Sequence, residues 1–317
     1  MQFISNIGGQ AVLHGLLMRN RTIISLAIRN EKNEIIVEKR SWYSLYESKI
    51  LSKSFIRGFP ILVETLINGI LAINRSVALA ENNTKKETIF QTIFELILSI
   101  FGAIFLFIIM PHILSLVMYC IGLSGNINNL TFHIWDGIFK ILLFIFYILL
   151  ISNNKEIKEV FQYHGAEHKV ISCYESGMLV SAKNAKLCTR LHPRCGTSFV
   201  LFILLLALFI HSILVPLFLF FPLFKNNVTL HLVVILFKIL LIIPISAIAY
   251  ELIRKSTKPH KNFFMKILLQ LGLVMQLLST KEPTLEQLEV AVIALKVAVG
   301  ENTQTIFETA TYTVLDE

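Results

Sequence analysis

The chain has 317 residues, 55% of them apolar and only 16% charged, with a net charge of +8 and a mean hydropathy of +0.67. Soluble domains carry nearer a quarter charged residues, so an ordinary soluble enzyme is excluded and an integral membrane protein is expected. The basic excess does not read as a nucleic-acid surface, because Lys and Arg sit in particular connecting segments and no basic stripe with stacking aromatics accompanies them. The lipid bilayer is the expected partner, and nucleic acid is not.

Residues 1–55 read as an N-terminal extramembrane region. The opening MQFISNIGGQAVLHG lacks a charged stretch followed by an apolar one, so no cleaved signal peptide is expected. Gly8-Gly9 predicts a tight turn or a close backbone approach. Thr22–Arg29 and Glu34–Arg40 are rich in Ile, Leu and Val and flank the polar Asn30-Glu31-Lys32-Asn33, which predicts a β-hairpin. Residues 56–80 are apolar but interrupted by Arg57, Glu64 and Arg75, as expected of a helix lying in the membrane interface or packed beneath the bundle.

Residues 89–251 read as a membrane domain of about four spans: Ile93–Tyr119, kinked at Pro111, then Phe132–Ile151, Ser198–Phe224 and Val228–Glu251. Ser198–Phe224 alone, with no charged residue, is long enough to cross a hydrocarbon core about 30 Å thick. Twelve Lys/Arg precede the first span, none lies in 120–131, seven lie in 152–197, one in 225–227 and seven follow residue 251. That alternation places both termini in the cytoplasm of a multi-pass cell-membrane protein, and an even number of spans requires the same.

Residues 252–317 complete the chain. Pro259–Leu278 and Thr284–Val299 predict amphipathic helices broken at Lys281-Glu282-Pro283, the second opening on a capping box of Thr284 and Gln287. Residues 301–317 give no firm signal. The expected fold is an all-α polytopic membrane protein with a small N-terminal β-hairpin region and amphipathic cytoplasmic helices.

The chemistry is concentrated in the polar loop 152–197. His164-Gly165-Ala166-Glu167-His168 has the order H-x-x-E-H. On a helix, Ile157, Phe161, His164, His168, Ile171 and Glu175 form one stripe, with the two imidazoles a turn apart. Such a pair can hold one divalent metal, and neutral His with carboxylate suits zinc. Glu167 is then the candidate catalytic base, the order being that of inverted zinc-protease motifs. Further donors are close in sequence, in His192-Pro193-Arg194-Cys195-Gly196. A third ligand could come from His192, Cys195, Glu175, or from Glu251 at the end of the last span. On a reducing side of the membrane, clustered thiols read as ligands or free thiols rather than disulfides. No C-x₂-C pair of a zinc ribbon is present.

At these residues the chain resembles the YqhQ-like family, uncharacterised bacterial membrane proteins grouped as metal-dependent enzymes. The resemblance runs through Gly8-Gly9-Gln10-Ala11-Val12, Leu17-Met18-Arg19, Arg57-Gly58 with Glu64, Tyr163–Lys169, His192–Thr197, Tyr250-Glu251 and Thr280–Pro283. It implies a metal site at the His/Glu/Cys residues and supplies no substrate.

Lys140 and Lys238 fall inside spans, where charge is costly and often functional. Asp136, one turn from Lys140, could neutralise it. His112, His211 and His231 read as packed or hydrogen-bonded side chains, and Cys120 as a small apolar one.

The expected function is that of a metal-dependent membrane enzyme hydrolysing a membrane-associated substrate. Two other readings remain at this point: a non-catalytic scaffold or regulator with a structural metal, and a transporter using the two intramembrane lysines.

Overall fold

The computed structural model describes residues 7–20, 22–41, 51–81, 89–193, 195–220, 227–256, 263–301 and 312–316. Four consecutive strands, β1 (Ile7–Val12), β2 (Gly15–Asn20), β3 (Ile23–Arg29) and β4 (Ile35–Ser41), form an antiparallel meander. The expected hairpin is β3–β4, with Ile28 opposite Ile36 and Leu26 opposite Glu38. The N-terminal region is larger than a hairpin, because β1 and β2 add to it. A fifth strand, β5 (Tyr312–Asp316), pairs in parallel with β4. The chain end that gave no signal therefore returns to the start.

Side chains on successive strand residues point to opposite faces, and here both faces are covered. Leu16, Met18, Ala27, Ile35 and Val37 pack with helices α5 (Lys155–Glu175) and α11 (Leu285–Val299). Val12, Leu17, Leu26 and Ile28 pack with Ala72 and Ala80 of α1 (Gly58–Ala80). The result is a sheet between two helical layers, joined to a bundle of long apolar helices. The all-α expectation is corrected on this point. The strands escaped notice because their second face is apolar too, which erases the two-residue alternation a half-exposed strand shows.

Helix α11 begins at the expected capping box, Thr284 accepting from the Gln287 backbone and Gln287 from that of Thr284. Its periodicity is misleading, however. Every residue from Val290 to Ala298 is buried, so it is a central core helix rather than an amphipathic one.

Five helical stretches are long and apolar enough to cross a membrane: Gly58–Ala80, Phe90–Cys120, Leu130–Ile151, Phe202–Leu219 and Val228–Lys255. The expected count of about four thus gains one candidate, α1. The second stretch comprises α2 (Ile89–Ile104), a π-helical turn at Phe105–Ile109 and α3 (Met110–Cys120). The turn falls just before Pro111, whose ring and missing N–H disturb the preceding turn of an α-helix. Phe90, Phe94, Leu98 and Phe101 of α2 are exposed, as side chains facing lipid would be. Helix α4 (Leu130–Ile151) packs on α3 and α7 (Gly196–Leu219). The last stretch is divided at Leu241 into α8 (Asn227–Leu240) and α9 (Ile242–Ser256), and α7 packs on α9 and on α10 (Phe263–Ser279).

Candidate metal centre

Helix α5 joins the two halves of the molecule. Asn154 caps it, accepting from the backbones of Glu156 and Ile157. Tyr163, Ala166, Val170 and Cys173 face the sheet and α11, which turns His164 and His168 away from that core and sets Glu167 beside β1. Opposite them the chain from the short helix α6 (Ala182–Leu187) to Cys195, which precedes α7, folds back over α5. Lys169 holds that segment, its ammonium donating to the Lys186 and Cys188 carbonyls at 3.0 and 2.9 Å while pairing with Glu282. Gln276 of α10 clamps the His192 backbone, accepting from its N–H at 2.8 Å and donating to its carbonyl at 2.7 Å.

This folding brings His164, His168 and Cys195 together, all buried, with one ligand atom from each within 4.8 Å of the others. The imidazole tautomers follow from their partners. His164 Nδ1 lies 2.8 Å from the Ser279 carbonyl and His168 Nδ1 2.5 Å from that of Arg190. A carbonyl oxygen only accepts, so each Nδ1 carries the proton and each Nε2 presents a lone pair. The His164 lone pair is directed at Cys195 Sγ, 3.1 Å away. His168 Nε2 is buried and faces the same thiol, without a hydrogen bond of good geometry. A buried ring nitrogen so weakly satisfied is costly. Two Nε2 lone pairs and a thiol, with both imidazoles oriented from behind by carbonyls, form the donor set and outer support of a soft-ligand transition-metal site. Burial lowers the His168 pKa, which keeps the ring neutral as ligation requires.

The other expected ligands lie differently. His192 is beside the group, its ring centroid 5.8 Å from that of His168, but its Nε2 meets Glu175 Oε2 at 3.3 Å. Glu175 is thereby engaged by His192. Glu251 is occupied by Arg57, whose Nε and Nη2 donate to its two carboxylate oxygens at 2.7 and 2.9 Å in a buried bidentate pair. Arg57, which interrupts an apolar stretch and is one of the positions carrying the resemblance, is the residue that fixes Glu251.

Glu167 is buried beside the cluster. Burial raises its pKa, opposed by the nearby His164 and His192 and by a hydrogen bond from the Gly9 backbone. That strand contact was legible only as the close approach expected at Gly8-Gly9. A cleft of about 620 Å³ opens on this wall. His164, Glu167 and Cys195 line its polar end, and Ile61, Leu62 and Leu66 of α1 belong to its apolar side.

A family model described as "Protein of unknown function (DUF1385)" matches residues 54–301. The chain belongs to that family. It is also 32% identical to the uncharacterized protein YqhQ of Bacillus subtilis (strain 168) over 300 residues, which covers 90% of this chain and 89% of that protein. No solved structure matches. The resemblance read from the motifs is thus to the right family, while a buried His-His-Cys group able to bind a metal is supplied by the geometry.

Proposed function

We propose that the protein is a metal-dependent membrane enzyme that hydrolyses a membrane-associated substrate at the inner surface of the cell membrane. The observation that carries this reading is the convergence of two carbonyl-oriented Nε2 lone pairs and a buried thiol beside a cleft lined by His164, Cys195 and the Glu167 carboxylate. His164, His168 and Cys195 would hold the ion, zinc suiting this set, with Lewis-acid activation as its chemical contribution. Glu167 would take the proton of the attacking water. Its buried position and raised pKa suit a group that accepts and then returns a proton near neutral pH. The apolar side of the cleft, formed partly by α1, would receive the hydrophobic part of a lipid-linked or membrane peptide substrate.

The topology supports the same placement. β5 pairs with β4, and α5 and α11 pack on the sheet that contains β4. An even number of crossings must therefore separate residue 41 from α5, and α5 from α11. Three candidate stretches precede α5 and two follow it, so one of the first three does not cross. Helix α1 is that one, since it lies on the sheet through Ala72 and Ala80, with Arg75 bound to Glu38 at 2.7 Å and Arg19 to Glu64 at 3.2 Å. It then lies in the interface and four spans remain. The Lys/Arg-rich segments support a cytoplasmic sheet and cytoplasmic termini.

A structural metal is the second reading, favoured by the nearness of His192. Rotated off Glu175, it would give four protein ligands and a closed site. The two are separated by Glu167→Gln. An enzyme keeps its metal and loses its cellular function in that variant; a structural site keeps both.

A further inference from the structure

A second polar assembly lies inside the bundle, in the half remote from the metal centre. It unites the charged residues of α4 and α8 with the histidines of α3, α7 and α8. Asp136 accepts from Lys140 at 2.5 Å and from Lys238 at 2.7 Å. Lys140 Nζ lies 2.9 Å from His211 Nδ1, and Lys238 Nζ lies 3.2 Å from His112 Nδ1. His112 Nε2 in turn lies 2.9 Å from His231 Nδ1. Six titratable side chains thus form one hydrogen-bonded chain: His231, His112, Lys238, Asp136, Lys140, His211. At 1.5 Å per residue Lys238 lies about 16 Å from the start of α8, while His231 lies about 6 Å from it. Asp136, Lys140 and Lys238 are at most 1% exposed, whereas His231 is only partly buried. At the inner end His211 Nε2 has no partner among the described residues, and neither does Nδ1 of the adjacent His133.

A structural ion pair needs one lysine. The second leaves a net positive charge in a low-dielectric interior when all three groups are ionised, and such charge is costly there. One proton leaving the cluster removes it. We propose that this chain is a proton relay, a proton-binding site in the membrane interior that exchanges with bulk water through His231. In the outward step the Lys238 ammonium gives a proton to His112 Nδ1 as the Nε2 proton of His112 passes to His231 Nδ1. His231 Nε2–H releases its own proton to water. Each ring ends neutral in its other tautomer, Lys238 ends as an amine, and Asp136 keeps its pair with Lys140. The groups facing the chain are those named: His112 on α3, His133, Asp136 and Lys140 on α4, His211 on α7, and His231 and Lys238 on α8. Nothing in this relay depends on the metal centre.

The full chain in lipid nanodiscs, stepped between mildly acidic and mildly alkaline buffer and followed by infrared difference spectroscopy, tests it. Imidazole and carboxylate bands of the wild type should change with pH. His231→Phe, at the rim, should keep the amplitude of that change but approach it on the order of tenfold more slowly, a barrier about 1.4 kcal/mol higher. Lys238→Met, which leaves the neutral Asp136–Lys140 pair, should lose the cluster's share of that change and keep the share of the exposed groups. A wild-type response no different from that of Lys238→Met overturns the proposal, and so, whether or not that variant folds, does an unchanged rate in His231→Phe.

Discussion

The Gly9 backbone N–H is hydrogen-bonded to the carboxylate of Glu167, tying the first strand to the helix that carries the motif. A Cβ at Gly9 would stand 2.9 Å from Glu167 Cδ and 2.8 Å from the Leu17 carbonyl, closer than real Cβ contacts. At Gly8 a Cβ would meet nothing within 4 Å. Gly9→Ala should therefore displace Glu167 and abolish cellular function while metal content is retained, and Gly8→Ala should behave as wild type. Elemental analysis and complementation of a deletion strain check both.

Gly165, between the two motif histidines, admits a second backbone. Its Cβ would lie on the Lys281 carbonyl, 2.1 Å away. Lys281 N–H already donates to the Phe161 carbonyl at 2.8 Å, and Ser279, two residues earlier, orients His164. Gly165→Ala should push α5 off this connection, costing about 2–4 kcal/mol. Both the melting temperature in detergent and metal retention should fall.

The buried Arg57–Glu251 pair has a scaffold role, joining the start of α1 to α9. Removing one partner of such a pair leaves an uncompensated buried charge, costing roughly 3–5 kcal/mol. Glu251→Gln and Arg57→Met should each lower thermal stability by that order, and the double variant by less than their sum. Metal content should be unchanged in Glu251→Gln, which distinguishes a scaffold role from ligation.

The Cys173 thiol is pushed up to about 11, first by burial and then by the neighbouring Cys188. It therefore stays protonated at mildly alkaline pH, where a thiolate would be needed for alkylation. Mass spectrometry of the native protein treated with iodoacetamide should find Cys120, which is exposed, modified well before Cys173.

What could be read from the sequence follows from which interactions are local. The His164/His168 pair depends only on helical spacing, and the spans on length and hydropathy. Thr284 and Gln287 are three residues apart, and their capping box forms as expected. The remainder depends on contacts between distant segments. Glu251 has a ligand's chemistry, and only its meeting with Arg57 removes it from the donor set. In the bundle the Asp136–Lys140 pair, one turn apart on α4, is local and forms as expected. Lys238 reaches Asp136, and His112 and His211 reach Lys238 and Lys140, only once α3, α4, α7 and α8 pack. Gly8-Gly9 allowed a tight turn or a close backbone approach, and β1 realises the second, Gly9 letting Glu167 reach the backbone.

The metal centre is tested most directly by elemental analysis of the full-length protein purified without chelators, alongside His168→Ala and Cys195→Ser. One equivalent of a transition metal per chain, zinc above all, lost in His168→Ala and weakened in Cys195→Ser, is the result expected. A wild-type protein that folds and functions with no bound transition metal, and takes none up when zinc is added, would contradict the account.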